Sequence, residues 1–338
     1  MAFARGEAHL PRMLTALLLL ALAGVTSVPA KVHENMLFVQ VRVDGGAPKT
    51  FLVDTAVPRT FAGTHLGMKA DAEAELDLGG LRVRVPKIGV TDLGFFAVTE
   101  DLPLDGVLGM DILQQFAVEM DFDAALVRFH DAADYRYDGS GEVIPVTIEK
   151  SQPYVHAKLK MRGKPERIRK YLLDTGSGGS LSDELFKPEG EPIGPDLGRA
   201  EYVKIGSFRF DGANGTTGGM RIGGELLKRF NLIADFSRSR IILEPSRHFR
   251  DDLLFDTSGL ELENDAAGLK VAQVYKRTPA AEAGLAPGDR ITAIDNQPAR
   301  TLGLTRVRLM FHQVRIHRLT VLRAGKELTV TLALRKLL

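Results

Sequence analysis

The 338-residue chain contains no cysteine and no tryptophan. The absence of cysteine excludes disulfide bonds, thiol catalysis and metal sites built on thiolates. Charge of one sign is also lacking, because 44 Lys and Arg residues face 43 Asp and Glu residues, and no basic stripe stands out. A protein that binds nucleic acid through its phosphates needs such a stripe. We therefore expect no nucleic-acid partner.

Long apolar runs are scarce, with one exception near the N-terminus. Arg5 and Arg12 precede an almost unbroken apolar run from Leu14 to Val25, and Val28-Pro29-Ala30 follows with small residues. This order is typical of a secretory signal peptide. The sequence predicts a signal peptide over residues 1–30, cleaved after Ala30, and hence a secreted, periplasmic protein. The alternative is an uncleaved membrane anchor, although the run is short for a full span.

A duplicated motif is the main feature that is present. An apolar stretch runs into an acid and a threonine twice, as Phe51-Leu52-Val53-Asp54-Thr55-Ala56 and as Tyr171-Leu172-Leu173-Asp174-Thr175-Gly176. Each apolar stretch reads as a buried strand that ends at the acid. A carboxylate at the edge of the core is placed where burial shifts its pKa.

The repeat continues downstream of both acids. Four pairs of residues recur at a constant offset of 114 positions: Leu113 and Leu227, Phe116 and Phe230, Asp121 and Asp235, Phe122 and Phe236. A constant register over this length indicates one structural unit duplicated in tandem.

Turn signals define the strands within each unit. Asp44-Gly45-Gly46 and Arg162-Gly163 are hairpin signals before the two acids, and further hairpins are predicted at Gly79-Gly80 and Gly206-Ser207. Each unit is therefore predicted to be a β-barrel-like lobe of short strands. The polar stretch 131–141 is the predicted connection, which gives lobes at 31–135 and 136–248.

The pattern changes after Pro245. A strand is predicted at Leu269–Val274, followed by a short helix with Thr278 at its cap and Pro279 in its first turn. A helix near 304–314 and a closing hairpin that turns at Gly325 complete a small α+β domain at 249–338.

The paired motif resembles that of aspartic proteases of the pepsin and retropepsin type. An apolar run ends in Asp-Thr-Gly, and an apolar element ending in glycine precedes a short helix, as at Val107-Leu108-Gly109 and Ile222-Gly223. The sequence is most similar to bacterial retropepsin-like proteins that carry two units in one chain and a C-terminal PDZ domain. The resemblance implies a mainly β fold, with two pseudo-symmetric retropepsin-like β-barrel lobes followed by a small α+β PDZ domain.

The resemblance also implies an aspartic endopeptidase. Two facing carboxyl groups cannot both ionise comfortably, so they share a proton and titrate as a pair. Asp54 and Asp174 would hold the attacking water, with the proton on either acid. Thr55 and Thr175 would bond across the lobes, Gly176 belongs to the motif, and Ser177 is placed to hydrogen-bond the Asp174 carboxylate.

This chemistry needs no metal or other cofactor, and its substrates are proteins or peptides. Because both acids lie in one chain, a monomer is sufficient to form the active site.

The run from Thr278 to Ile291 resembles bacterial PDZ domains. In such domains a loop offers backbone N–H groups to a peptide carboxylate, and the peptide adds a strand to the sheet. The predicted peptide-binding loop contains Ala267, Gly268 and Leu269. The alternative is a PDZ-shaped domain that only packs on the protease.

Two departures from the family pattern favour a different function. Ala56 occupies a position where the family has glycine, which would be strained if φ were positive. Flap hairpins are poorly marked at 64–78 and 187–200. The alternative function is therefore a catalytically inactive protease-like scaffold that acts as a PDZ peptide-binding protein.

Overall fold

A computed structural model describes residues 24–96, 102–187, 198–253 and 256–337. β-Strands dominate these ranges and form three sheets. No helix in the described part of the chain is long and apolar enough to cross a membrane.

The first lobe is built from ten described strands and one short α-helix. They are β1 (Val25–His33), β2 (Met36–Val43), β3 (Pro48–Val53), β4 (Phe61–Gly63), β5 (Ala74–Leu78), β6 (Leu81–Val85), β7 (Gly89–Thr91), β8 (Gly106–Leu108), α1 (Met110–Leu113), β9 (Phe116–Asp121) and β10 (Leu126–Asp131).

The second lobe repeats this order over the described residues. Its elements are β11 (Glu142–Pro145), β12 (Thr147–Glu149), β13 (Gln152–Met161), β14 (Arg167–Leu173), β15 (Leu181–Ser182), β16 (Gly198–Ile205), β17 (Phe208–Asp211), β18 (Asn214–Thr216), β19 (Arg221–Ile222), α2 (Gly224–Leu227), β20 (Phe230–Asp235) and β21 (Arg240–Pro245).

The C-terminal domain has its own six-stranded sheet and its own apolar core. Its elements are β22 (Leu260–Asp265), β23 (Gly268–Val274), α3 (Pro279–Glu282), β24 (Arg290–Ile294), β25 (Gln297–Pro298), α4 (Ala299–Leu302), α5 (Leu304–Phe311), β26 (Ile316–Arg323) and β27 (Lys326–Ala333).

Strand pairing confirms the predicted duplication. In the first lobe β8 lies parallel to β3 and antiparallel to β4. In the second lobe β19 lies parallel to β14 and antiparallel to β15. The helices α1 and α2 and the strands that follow them keep the offset of 114 residues. The two lobes are therefore pseudo-symmetric copies of one topology.

The lobes share six neighbouring strands of the largest sheet, in the order β11-β21-β20-β9-β10-β1. Their centre is the antiparallel pair β9–β20, in which Met120 lies opposite Leu232 and Val118 lies opposite Ala234. All four side chains are fully buried. Because apolar burial contributes roughly 25 cal/mol per Å², this shared core holds the lobes in a fixed relation.

Strand β1 corrects the predicted boundary at Ala30. The stretch from Val25 to Pro29 pairs with β10, and Val28 is 2% exposed. The twin of this pairing in the second lobe is β11 with β21. A cut after Ala30 would remove one edge of the shared sheet, so the folded lobe begins before Ala30. The rest of the predicted signal peptide, residues 1–23, lies outside the described residues.

Arg229 ties the chain that leads to the C-terminal domain onto the second lobe. Its side chain is 1% exposed, and its guanidinium donates hydrogen bonds to the carbonyl oxygens of four residues: His248, Phe249, Asp251 and Asp252. A buried guanidinium needs such partners, because an unpaired buried charge is strongly destabilising.

Helix α5 of the C-terminal domain lies against the β1–β2 turn of the first lobe. Arg308 on this helix approaches Glu34 at 3.7 Å, and the Thr305 hydroxyl lies 3.5 Å from His33 Nε2. The helix therefore borders the entrance of the cleft between the lobes.

Candidate active site

Both predicted acids follow directly on buried strands. The Asp54 N–H donates to the carbonyl oxygen of Leu108 at 3.0 Å, and the Asp174 N–H donates to that of Ile222 at 2.9 Å. These are equivalent bonds in the two lobes. The two residues are 9% and 3% exposed, respectively. The strand pairing thus brings each acid to the same point of its own lobe.

Thr55 and Thr175 join the two lobes beneath the acids. The Thr55 N–H donates to Thr175 Oγ1 at 3.0 Å, and the Thr175 N–H donates to Thr55 Oγ1 at 3.2 Å. The hydroxyls donate in turn to the carbonyl oxygens of the opposite lobe, at Leu173 (2.5 Å) and Val53 (2.9 Å). This reciprocal exchange fixes the backbones that carry the carboxyl groups.

The two carboxyl groups meet at Gly176. Its backbone N–H lowers the pKa of both Asp54 and Asp174. A Cβ on Gly176 would lie 2.2 Å from Asp54 Cγ, which is far inside van der Waals contact. Only glycine therefore permits this close approach. The structure brings together the acids that the sequence paired.

Burial and mutual repulsion hold a proton on the pair. Burial, together with the charge of Asp174, raises the pKa of Asp54 to about 7, against hydrogen bonds from the N–H groups of Ala56 and Gly176. Burial also raises the pKa of Asp174, while the Arg221 guanidinium and the N–H groups of Gly176 and Ser177 oppose the rise. A shared proton near neutral pH suits general acid–base work.

The backbone of Ala56 is not strained, because Ala56 is not among the described residues with positive φ. Its N–H donates to Asp54 Oδ1 at 2.7 Å, and its carbonyl oxygen accepts from Gln152 Nε2 at 2.5 Å. The backbone of Ala56 therefore helps to hold the Asp54 carboxyl group in place.

Ser177 reaches Asp174 through its backbone. The group that lowers the pKa of the carboxylate is the Ser177 N–H, and the sequence predicted a hydrogen bond from Ser177 without specifying the donor. Ser177 also lines the cleft.

An open cleft of about 750 Å³ lies over the two acids. The first lobe contributes mostly apolar side chains and the second lobe mostly polar groups and glycines. The residues that line the cleft include Met36, Val57, Phe95, Phe96, Gln152 and Arg221. Arg308 of the C-terminal domain completes the rim.

The first-lobe cover differs from the expected flap. The β5–β6 hairpin packs Leu76 and Val83 into the lobe core, and the segment that reaches the cleft contains Phe95 and Phe96. Most of the second predicted flap, residues 188–197, lies outside the described residues.

Sequence reasoning missed a pair of contacts between the lobes. Asn35 Nδ2 donates to the Gly178 carbonyl oxygen at 2.8 Å, and Gln152 donates to Ala56. Asn35 and the residues Lys150 and Ser151 adopt positive φ in equivalent hairpin turns. The available sequence signal was the short turn between two predicted strands in each lobe. That signal does not indicate which residues of the other lobe the turn contacts.

The predicted peptide-binding loop of the C-terminal domain lies in the β22–β23 hairpin. Ala267 lies in the exposed turn of the β22–β23 hairpin, and its N–H donates to Asp265. Gly268 pairs with Asp265, and the buried Leu269 pairs on both sides, with Asn264 and with Ile291. Paired backbone groups have no capacity for a further strand.

The strand order of this sheet ends at β22 on one side and at β27 on the other. Among the described strands, β22 pairs only with β23. Helix α5 lies beside β22, and the Thr257 N–H donates to the carbonyl oxygen of Phe311 at the end of that helix. In the loop that leads into β22, the Asp256 carboxylate accepts from Ser258 N–H (2.8 Å) and Gly259 N–H (2.7 Å).

No group of three or more His, Asp or Glu residues within 24–96, 102–187, 198–253 and 256–337 is placed to hold a metal ion.

Comparison with known proteins identifies the C-terminal domain. The PDZ domain family matches residues 258–334. Among curated proteins, none matches the chain. Among solved structures, the chain is similar to an aspartic proteinase from Irpex lacteus at 16% identity and a TM-score of 0.46, over 67% of this chain and 99% of that chain.

Proposed function

We propose that the protein is an aspartic endopeptidase with a peptide-binding PDZ domain. The observation that carries the proposal is the pair of buried carboxyl groups, Asp54 and Asp174, which share the Gly176 N–H and lie at the base of an open cleft. Carboxyl groups packed this closely hold one proton between them.

Hydrolysis follows from that shared proton. The ionised carboxyl takes a proton from a bound water, whose oxygen attacks the peptide carbonyl carbon. The protonated carboxyl donates to the carbonyl oxygen, and the amine then leaves with a proton from the pair. The exchange between Thr55 and Thr175 keeps both carboxyl groups in position during these transfers.

The cleft supports peptide substrates with an apolar residue on the first-lobe side. Met36, Val57 and Phe96 present apolar surface there, and Phe95 is 57% exposed. An apolar substrate side chain would bury this surface on binding.

The test is digestion of a diverse peptide mixture by the parent protein and by Asp174→Asn, with mass spectrometry of the products. The parent should generate new termini and the variant should not. If neither protein cleaves while both give folded circular dichroism spectra, the non-catalytic PDZ scaffold becomes the better account.

For the PDZ domain we propose that an extended peptide pairs with the outer edge of β22, beside α5. β22 is an outer strand of its sheet, and a sheet edge is the usual site of strand addition. Asp256 already accepts the N–H groups of Ser258 and Gly259. A peptide carboxylate would find these donors used, so the ligand is an internal segment of a chain.

Two libraries of random peptides, identical except for a free or an amidated C-terminus, test this binding mode. The parent should bind both equally, while Asp256→Ala should gain a preference for the free carboxylate. Asp256→Asn serves if the alanine variant does not fold. A parent that prefers the free carboxylate tenfold or more would contradict the proposed ligand class.

A further inference from the structure

Arg221 breaks the repeat at the active site. In the second lobe it lies opposite Leu172 on the strand beside Asp174. The equivalent position in the first lobe is Val107, which lies opposite Leu52 and is 6% exposed within an apolar cluster. Two otherwise matching strands thus carry a cation in one lobe and a methyl-bearing side chain in the other.

This cation contacts one acid more closely than the other. Arg221 Nη1 lies 3.6 Å from Asp174 Oδ2, and the Asp174 side chain is 5% exposed. Arg221 also lowers the pKa of Asp54, but there its effect is smaller than that of the Ala56 N–H, which donates to Asp54 Oδ1 at 2.7 Å, whereas for Asp174 the guanidinium is the largest influence that lowers the pKa. A positive charge within about 4 Å favours the ionised form of a carboxyl group. The two acids therefore have unequal surroundings despite their equivalent strands.

The remaining charged side chains of the cleft do not supply this asymmetry. Among the described lining residues they are Glu34 on the β1–β2 turn and Arg308 on α5. These two have opposite charges and lie 3.7 Å apart. Their fields at the acids oppose each other, which leaves Arg221 as the cation that distinguishes Asp174 from Asp54.

We propose that Arg221 is a positioning residue that assigns the shared proton, keeping Asp174 ionised and leaving the proton on Asp54. This inference rests on the proposed endopeptidase function for its role, but not for its test. It gives each acid a defined task in the first step. Asp174 takes the proton of the attacking water, the water oxygen bonds to the carbonyl carbon, and Asp54 transfers its proton to the carbonyl oxygen.

The direct test is a pH titration of the aspartate carboxyl carbons by NMR, on protein labelled with ¹³C at those carbons. The measurement compares the parent with Arg221→Val, which restores the residue of the first lobe. Loss of the cation should move the titration of both active-site carboxyl groups to higher pH, with the larger movement at Asp174. A movement of about one pH unit is expected for a partly exposed ion pair.

Two further variants separate a specific contact from a general charge effect. Arg221→Lys keeps the charge and should restore most of the parent titration. Arg308→Gln removes the other cation of the cleft and leaves Glu34 unbalanced, so it should move the titration of Asp174 less than Arg221→Val does. Unchanged carboxyl titrations in a folded Arg221→Val protein would overturn the proposal.

The kinetic arm uses a peptide that the parent cleaves. In Arg221→Val the acidic limb of kcat/KM against pH should shift upward, because Asp174 becomes protonated at higher pH. An identical pH profile would overturn the proposed role of Arg221. If the parent cleaves nothing, the proposed function fails, and the NMR titration still decides whether Arg221 assigns the proton.

Discussion

Thr55 and Thr175 each accept, through the side-chain hydroxyl, the backbone N–H of the other, across the boundary between the lobes. The pair is fully buried or nearly so. A buried hydroxyl that loses its partner costs about 1–3 kcal/mol. The two carboxyl groups therefore rest on a hydrogen-bonded link in which each lobe orients the other.

Replacing Thr175 with Val should break this link while keeping the side-chain shape. The expected loss of unfolding free energy is about 2–4 kcal/mol, because the Thr55 N–H loses its acceptor and the Val53 carbonyl oxygen loses its hydroxyl donor, which leaves two buried groups unsatisfied. Urea unfolding measures it. Thr50→Val is the matched control, because the Thr50 hydroxyl accepts an exposed hydrogen bond, from Gln40 Nε2. Equal stability of the two variants would contradict the proposed link.

The Asp54 carboxyl should make stability fall as the pH rises. Its pKa is about 7 in the folded protein, against an ordinary value of 3.8. The folded state thus holds the proton more tightly than the unfolded state, so this stabilisation is present below about pH 4 and is lost on the way to pH 7. Asp54→Asn should be more stable than the parent at pH 8, by on the order of 2–4 kcal/mol.

Denaturant unfolding at pH 4 and pH 8 measures that difference. The advantage of Asp54→Asn should shrink at pH 4, where the parent carboxyl is protonated in both states. An advantage that is the same at both pH values would contradict the raised pKa of Asp54.

Gly176 and Ala56 occupy equivalent positions in the two lobes, but substitutions at these positions should have different effects on catalysis. Gly176→Ala places a Cβ 2.2 Å from Asp54 Cγ, so the carboxyl must move. A displacement of about 1 Å can lower catalysis by roughly 100-fold. Ala56→Gly requires no such movement. Steady-state kinetics should show a large loss for the first variant and a small change for the second. Similar losses would argue against the close approach at Gly176.

Strand β1 gives a further prediction. Gly24 accepts a hydrogen bond from the Asp131 N–H, and β1 follows at once. The sequence Ala21-Leu22-Ala23 offers small residues at the positions that a signal peptidase reads. We propose that export removes residues 1–23. The intact mass of the secreted protein should match a start at Gly24.

Truncation tests the role of β1 without export. A protein that begins at Gly24 should unfold cooperatively, while one that begins at Lys31 lacks the β1 segment that pairs with β10 and should be less stable or insoluble. Equal unfolding midpoints would support the original boundary at Ala30.

The repeat explains why so much of the site was predictable. A constant offset placed Asp54 and Asp174 at matching strand ends, and local turn residues marked the hairpins. Thr278 does cap a helix that begins at Pro279, as predicted. Such features depend on short stretches of sequence, where strand period and turn chemistry act directly.

The other features of the site depend on contacts between residues that are distant in sequence. Arg221 reaches Asp174 only because β19 pairs with β14, and Asn35 reaches Gly178 only across the lobes. The sequence did not predict the edge strand β22. Its alternating Leu and Glu residues lie between polar stretches, so no residue marks where the strand begins. The loop before β23 was chosen instead, although tertiary pairing uses its backbone.

The most direct test of the central claim is the dependence of kcat/KM on pH for a cleaved peptide. A pair with one shared proton predicts a bell-shaped profile, with an alkaline limb near pH 7 as Asp54 loses its proton and an acidic limb as Asp174 gains one. Asp174→Asn should be inactive, so neither limb should be measurable in that variant. Cleavage that persists in that variant, or that keeps rising above pH 8 in the parent, would contradict the account.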